Sequence, residues 1–229
     1  MNYYIDLLED AVKYKLMLNF HGATIPRGWQ RTYPHMMSVE GVYGAEWYNN
    51  TPVLTNRAAE HNATLPFTRN VVGPMDYTPG TFSDSQHPHI TSYGHELALP
   101  IIFESALQHM PDRPSVYYDM PEPVKKLLSD LPVAWDDTKL LAGYPGMEVV
   151  MARRKGDVWY IAGINGTNKP RTLCFLLKDL SVVGKKITLF EDGIYDRSFT
   201  IAEDLPLSED EMSVEIKCLP RGGFVAVIK

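Results

Sequence analysis

His21, Arg27, Arg31, Glu40 and Glu46 are residues of the types that do chemistry, and all fall within one stretch, HGATIPRGWQRTYPHMMSVEGVYGAE. Glu40 and Glu46 stand six positions apart across VEGVYGAE, where Gly41 and Gly44 permit the loop to fold back and bring both carboxylates together. Two carboxylates on one glycine-containing loop suit a hard cation such as calcium, which takes oxygen ligands. Two solvated loop glutamates would read the same way, because acidic side chains are mostly exposed. His21, followed by Gly22, is either an imidazole hydrogen-bonded within the core or a group aimed into a site. Arg27 and Arg31 have the reach to pair with the glutamates, although a structural ion pair fits them equally. Asp76, in GPMDYTPG, is a further candidate for ordering the same site. Trp29, Trp47 and Tyr48 offer aromatic surface for stacking or for packing.

These groups need elements to carry them. KLMLNF ends in His21-Gly22 and HMMSVE ends in Glu40-Gly41; both are short, largely apolar runs that read as strands buried on each face. Residues past the carboxyl ends of parallel strands line a common rim, which would gather His21, Glu40 and Glu46. Residues 2–14 place Tyr4, Leu7, Leu8, Ala11 and Val12 at helical spacing. Residues 55–66 form a second expected helix, with Thr55 as cap and Pro66 as stop. NVVGPMDYTPG is the next expected strand and loop, residues 93–105 another helix, SALQHM a short strand, and EPVKKLLSDLP a helix with proline near its start. That alternation suits the second half of a (β/α)8 barrel over residues 1–136. After Trp135 the pattern changes to LLAGY, MEVVMARR, VWYIAGI, RTLCFLL, KKITLFE, RSFTIA, MSVEIKCL and GFVAVIK, separated by turn signals. Residues 137–229 are therefore expected to form a C-terminal antiparallel β-sandwich or sheet domain.

Composition narrows the classes. The chain has 229 residues, 45% of them hydrophobic and 11% aromatic, enough for sizeable cores. The net charge of −6, with a single basic cluster at Arg153, Arg154 and Lys155, gives no surface for tracking phosphates, so nucleic acid is not an expected partner. No apolar run reaches the length of a membrane span, and no membrane association is expected. Cys174 and Cys218 read as buried free thiols or a pair. His87, His89 and His95 lack a spacing that would hold zinc. Asn62-Ala-Thr and Asn165-Gly-Thr match the glycosylation pattern, which is common by chance. There is no GxSxG elbow, phosphate-cradling glycine loop or CxxC pair, which removes support for acyl transfer, nucleotide and thiol chemistry.

The stretch that carries the five residues, continued by AEHNATLPFTRNVVGPMDYTPGTF and into the C-terminal region, resembles the signature of glycoside hydrolase family 97. The family comprises calcium-dependent α-glucosidases and α-galactosidases known mainly from Bacteroidetes. The resemblance implies that Glu40 is a calcium ligand, that Glu46 is both a calcium ligand and the general acid or acid/base, and that His21 contacts the sugar; Arg27, a loop residue able to bind sugar hydroxyls, is a further substrate-binding candidate on its own chemistry. Inverting members carry a general-base glutamate where this chain has Gly22; retaining members resemble it here and use an aspartate nucleophile on an earlier barrel strand. The expectation is therefore part of a retaining α-galactosidase, with an inverting or retaining α-glucosidase as the alternative. The nucleophile is expected in a preceding, N-terminal part of the same enzyme, so this chain alone is expected to be inactive. A noncatalytic carbohydrate-binding fragment is the competing class. By resemblance, the substrate would be an oligosaccharide and the location periplasmic or secreted.

Overall fold

The computed structural model describes residues 2–48, 50–84, 87–208 and 212–229. Helix α1 (Asn2–Tyr14) packs Leu8 against Met36 and Val39, with Ile5, Leu18, Phe20, Trp29 and Tyr33 around them. Val12, expected on that apolar face, is exposed instead. Strands β1 (Leu18–Phe20) and β2 (Met36–Val39) pair in parallel, Asn19 opposite Ser38 and Phe20 opposite Val39. The segment between them contains one turn of helix, α2 (Trp29–Thr32), entered through Gly28 at φ 81°. A third parallel position follows at Met75, bridged to Val39.

Three sequence expectations are revised here. Residues 55–66 are two short helices, α3 (Pro52–Thr55) and α4 (Ala58–Thr64), so Thr55 ends one helix rather than capping another, and Pro66 lies inside the 3-10 turn Leu65–Phe67. NVVGPM is a 3-10 turn, Arg69–Val72, followed by the single Met75 bridge. SALQHM is not a strand. The Ser105 hydroxyl bonds the Ser38 hydroxyl at 2.6 Å and the Leu107 carbonyl at 2.6 Å, and the Gln108 amide donates to the carbonyls of Pro100 and Phe103. Within the segment the Leu107 carbonyl is taken by the Ser105 hydroxyl and the His109 N–H by Asp76 Oδ1, so these backbone groups bond side chains and not a neighbouring strand.

Helix α5 (Tyr93–Ile102) is buried from Gly94 to Ile102 and is capped by Ser92, whose Oγ accepts from the His95 N–H at 3.0 Å. Helices α6 (Pro114–Tyr118) and α7 (Glu122–Asp130) follow; the first of them was not legible in the sequence. From Asp137 onward come β3 (Asp137–Tyr144), β4 (Glu148–Lys155), β5 (Val158–Asn165), β6 (Arg171–Leu176), β7 (Lys186–Asp192), β8 (Phe199–Pro206), β9 (Ser213–Cys218) and β10 (Gly223–Ile228). Six of these form an antiparallel sheet in the order β3-β4-β5-β10-β7-β8, and β6 pairs with β9 in a separate ribbon.

Alternation along β5 and β10 makes three layers. Tyr160, Ala162, Ile164, Val225 and Val227 face α5 with Leu97, Leu99 and Ile101, while Trp159, Ile161, Phe224 and Ala226 face Leu173, Phe175 and Ile216 of the ribbon. Each fully buried Val, Leu, Ile or Phe among them contributes about 1.5–3 kcal/mol. The helix can lie this close because Gly94 and Gly223 face each other: a Cβ on Gly94 would sit 2.2 Å from the Gly223 carbonyl oxygen. Arg153, buried in the sheet, donates to the carbonyls of Ile101 and Ile102 and so closes the carboxyl end of α5; burial lowers its pKa to about 10. Cys174 is exposed, Cys218 is buried, and both are free thiols. They point to opposite faces of the ribbon, since Cys218 pairs with Arg171 and Cys174 with Glu215.

Candidate active site

Three successive parallel positions deliver three polar residues to one rim: His21 follows β1, Glu40 follows β2, and Asp76 follows Met75. The ladder holds them level, because the Glu40 N–H donates to the Phe20 carbonyl at 2.8 Å and the Asp76 N–H to the Val39 carbonyl at 3.3 Å. Glu46 arrives on the 3-10 turn Ala45–Tyr48.

His21, Glu40 and Glu46 can each present one atom such that all three lie within 4.8 Å of one another. Glu40 is buried, 4% exposed, whereas Glu46 is exposed. The Gly22 N–H donates to Glu40 Oε2 at 2.7 Å, leaving Oε1 without a hydrogen-bond partner and 3.9 Å from His21 Nδ1. Burial raises the Glu40 pKa; the neighbouring Glu46 adds to the rise, and the Gly22 N–H and His21 oppose it. A buried carboxylate oxygen lacking a donor, beside a second carboxylate, fits a cation as its counter-charge. The oxygen donors fit calcium, and two side chains leave most of its six to eight ligands to come from elsewhere.

The glycines are required by this geometry. A Cβ on Gly44 would lie 2.8 Å from the Tyr77 carbonyl oxygen and 3.5 Å from Glu40 Oε1, and Gly41 takes φ 49° against the backbone of Ile25. Gly22, at φ 60°, has open space where a side chain would project.

Asp76 is fully buried and holds His21 from the other side, with His21 Nε2 donating to Oδ2 at 2.9 Å. Asn19 Nδ2 and His109 Nδ1 donate to the same oxygen, each at 2.5 Å. Burial pushes the Asp76 carboxyl up, and the hydrogen bonds from His109, His21 and Asn19 outweigh it, leaving the pKa below its ordinary value. His109 was missed in the sequence because it stands on an irregular loop with no motif around it. Arg69 was missed too: its guanidinium is buried and satisfied by the carbonyls of Val39, Glu40, Gly41, Gly73 and Pro74, tying the loops after β2 and before Met75 together. Burial lowers its pKa to about 10.

Arg27 and Arg31 are exposed, and neither makes an ion pair among the described residues. Trp29 packs against Tyr4 at 5.1 Å and against the Leu8, Met36 and Val39 cluster. Trp47 meets Tyr43 edge to face at 5.3 Å, beside a cavity of about 350 Å³ that Arg57 and His61 also line. The Tyr48 hydroxyl bonds the Tyr77 hydroxyl, and both bond Asn62, whose amide also meets His95 Nε2 at 3.0 Å. This buried network anchors the Glu46 turn to α4 and α5, and it accounts for Asn62 as a structural residue. Asn165, fully buried, likewise donates to the carbonyls of Lys169 and Leu219. His89 lies beside Glu96, with Nδ1 at 3.8 Å.

Two family profiles match the sequence: glycoside hydrolase 97 over residues 1–42, and glycosyl-hydrolase 97 C-terminal, oligomerisation, over residues 134–229. A probable retaining alpha-galactosidase of Streptomyces bingchenggensis is 45% identical over 71% of the chain and 24% of its own length. The retaining alpha-galactosidase of Bacteroides thetaiotaomicron is 34% identical over 96% of the chain and 35% of its own length. The chain thus spans about a quarter to a third of the curated relatives it matches. Among solved structures, a beta-arabinopyranosidase superposes with a TM-score of 0.89 at 30% identity, covering 98% of this chain and 36% of that one. A family 97 enzyme from Pseudoalteromonas sp. strain K8 in complex with acarbose gives 0.87 at 30% identity, covering 100% of this chain and 37% of that one. On these matches, this chain belongs to glycoside hydrolase family 97.

Proposed function

We propose that this chain is the C-terminal part of a calcium-dependent retaining α-galactosidase. In this reading residues 1–136 form the second half of a (β/α)8 barrel and residues 137–229 its β-domain. The carrying observation is the grouping of His21, Glu40 and Glu46 at the carboxyl ends of β1 and β2, with Glu40 Oε1 buried and partnerless. The curated relatives, both named retaining α-galactosidases, support the substrate class. Glu40 and Glu46 would hold the calcium ion, which when bound would supply positive charge to orient Glu46 and to stabilise negative charge developing nearby.

The chain's own residues divide the remaining work. Glu46, exposed at the rim, donates a proton to the glycosidic oxygen as that bond breaks, then takes a proton from the water that releases the sugar. The covalent intermediate between these steps needs a carboxylate nucleophile, assigned to the barrel strand preceding β1 in the whole enzyme. Gly22 carries no group that could activate water on the opposite face, and its N–H instead fixes Glu40. His21, gripped by Asp76, and Arg27, exposed on the loop after β1, are the sugar contacts.

A second substrate class, α-glucosides, is favoured by the Pseudoalteromonas relatives bound to panose and acarbose. Among the described residues no helix is long and apolar enough to cross a membrane; the periplasmic or secreted location rests on the resemblance alone. Comparing hydrolysis of α-galactosides and α-glucosides by the whole enzyme, with and without chelator, tests the reading. Activity on neither, or activity indifferent to calcium, would refute it.

A further inference from the structure

We propose that His109 is a substrate-contacting residue whose Nε2 accepts a hydrogen bond from a sugar hydroxyl. The inference rests on the glycosidase reading and extends its site by one residue. Asp76 takes donors on both oxygens: the backbone N–H groups of His109 (3.1 Å) and Thr78 (3.4 Å) reach Oδ1, and Asn19, His21 and His109 reach Oδ2. A carboxylate so surrounded only accepts, so the ring nitrogens that face it carry the hydrogens. With a hydrogen between each ring and the carboxylate, no lone pair is left there for a cation. In a neutral imidazole the opposite nitrogen is then a bare acceptor.

For His109 that opposite nitrogen is Nε2. The side chain is 57% exposed, and Nε2 has no partner among the described residues. Both the backbone and the ring of His109 are tied to one fully buried carboxylate, so the acceptor is held in place before any ligand arrives. The rings of His21 and His109 stand 5.8 Å apart and nearly perpendicular, at 86°. His109 uses Nδ1 for the scaffold and keeps an exposed ring beside that of His21, with Nε2 left over for a ligand.

Two variants of the full-length enzyme separate the two nitrogens. In His109→Asn the amide nitrogen replaces Nδ1, keeping the bond to Asp76 and leaving nothing at the position of Nε2. In His109→Gln the amide reaches the Nε2 position and gives up the bond to Asp76. The expected result is that His109→Asn keeps the thermal midpoint and calcium affinity of the wild type while kcat/KM for the α-galactoside falls about tenfold. His109→Gln should recover part of that loss despite a lower midpoint. Along a series of monodeoxy substrates, the wild type should lose about tenfold on one member, and His109→Asn should lose nothing further on it. An active enzyme in which His109→Asn stays within twofold of the wild type, or in which both respond identically across the deoxy series, overturns the assignment of His109 alone. A wild type that hydrolyses no α-glycoside overturns the glycosidase reading, and this inference with it.

Discussion

Glu40 and Glu46 share one loop but differ in surroundings, and the roles proposed for them follow that difference. Glu40 is buried and clamped by the Gly22 N–H, which suits a ligand; Glu46 is exposed on a turn, which suits a proton donor that must reach substrate. In the whole enzyme, Glu40→Gln is expected to weaken calcium binding by about tenfold or more by calorimetry; an unchanged affinity would remove Glu40 from the ligand set. Glu46→Gln is expected to lower kcat for disaccharide substrates by about 10²–10⁴-fold, and much less for aryl glycosides whose phenolate leaves unaided. Equal losses on both would mean that Glu46 is not the proton donor. These residues were legible because they follow short apolar runs and are spaced by glycines. His109 and Arg69 were not, because their roles depend on irregular loops meeting in space: His109 comes to Asp76 across 33 positions, and Arg69 reaches carbonyls up to 30 positions away.

At the scale of elements, the loop that carries the carboxylates is set by how closely it approaches Tyr77. Gly44→Ala would push a methyl group to 2.8 Å from a backbone oxygen, which cannot rotate away. Overpacking of this kind costs about 1–3 kcal/mol, and here the strain falls on the turn that carries Glu46. The variant should therefore unfold at lower denaturant concentration and bind calcium more weakly; wild-type behaviour in both would show that the loop has slack. All eight C-terminal strands were legible, because alternation and turn residues agree along each of them. The parallel strands were legible only where they are apolar and end in a glycine pair. The segments at Met75 and Ser105 were misread as strands since the carbonyls of Gly73, Pro74 and Glu104 are met by Arg69 and Asn70 and that of Leu107 by Ser105, none of which leaves a periodic signal. The three-layer arrangement was not foreseen either: the notion of a separate β-domain gave no hint that α5 is buried against β5 and β10 in one core.

For the whole molecule, that shared core has a consequence for pH. His95 sits in the first turn of α5, completely buried, and burial lowers its pKa to about 4. The unfolded chain takes up a proton near pH 6.5, while the folded chain keeps His95 neutral until about pH 4. Its contribution is therefore complete above about pH 6.5 and is lost as pH falls toward 4, by about 2 kcal/mol between pH 7 and pH 5. Urea unfolding of wild type and His95→Gln at these two pH values checks this. The variant should lose less stability on acidification, and parallel losses would contradict the linkage. The central claim, that Glu46 works with a nucleophile and without a base at Gly22, is tested most directly by proton NMR of the first sugar released from an α-galactoside by the full-length enzyme, recorded before mutarotation. Double displacement predicts the α-anomer; the β-anomer as first product would contradict the account.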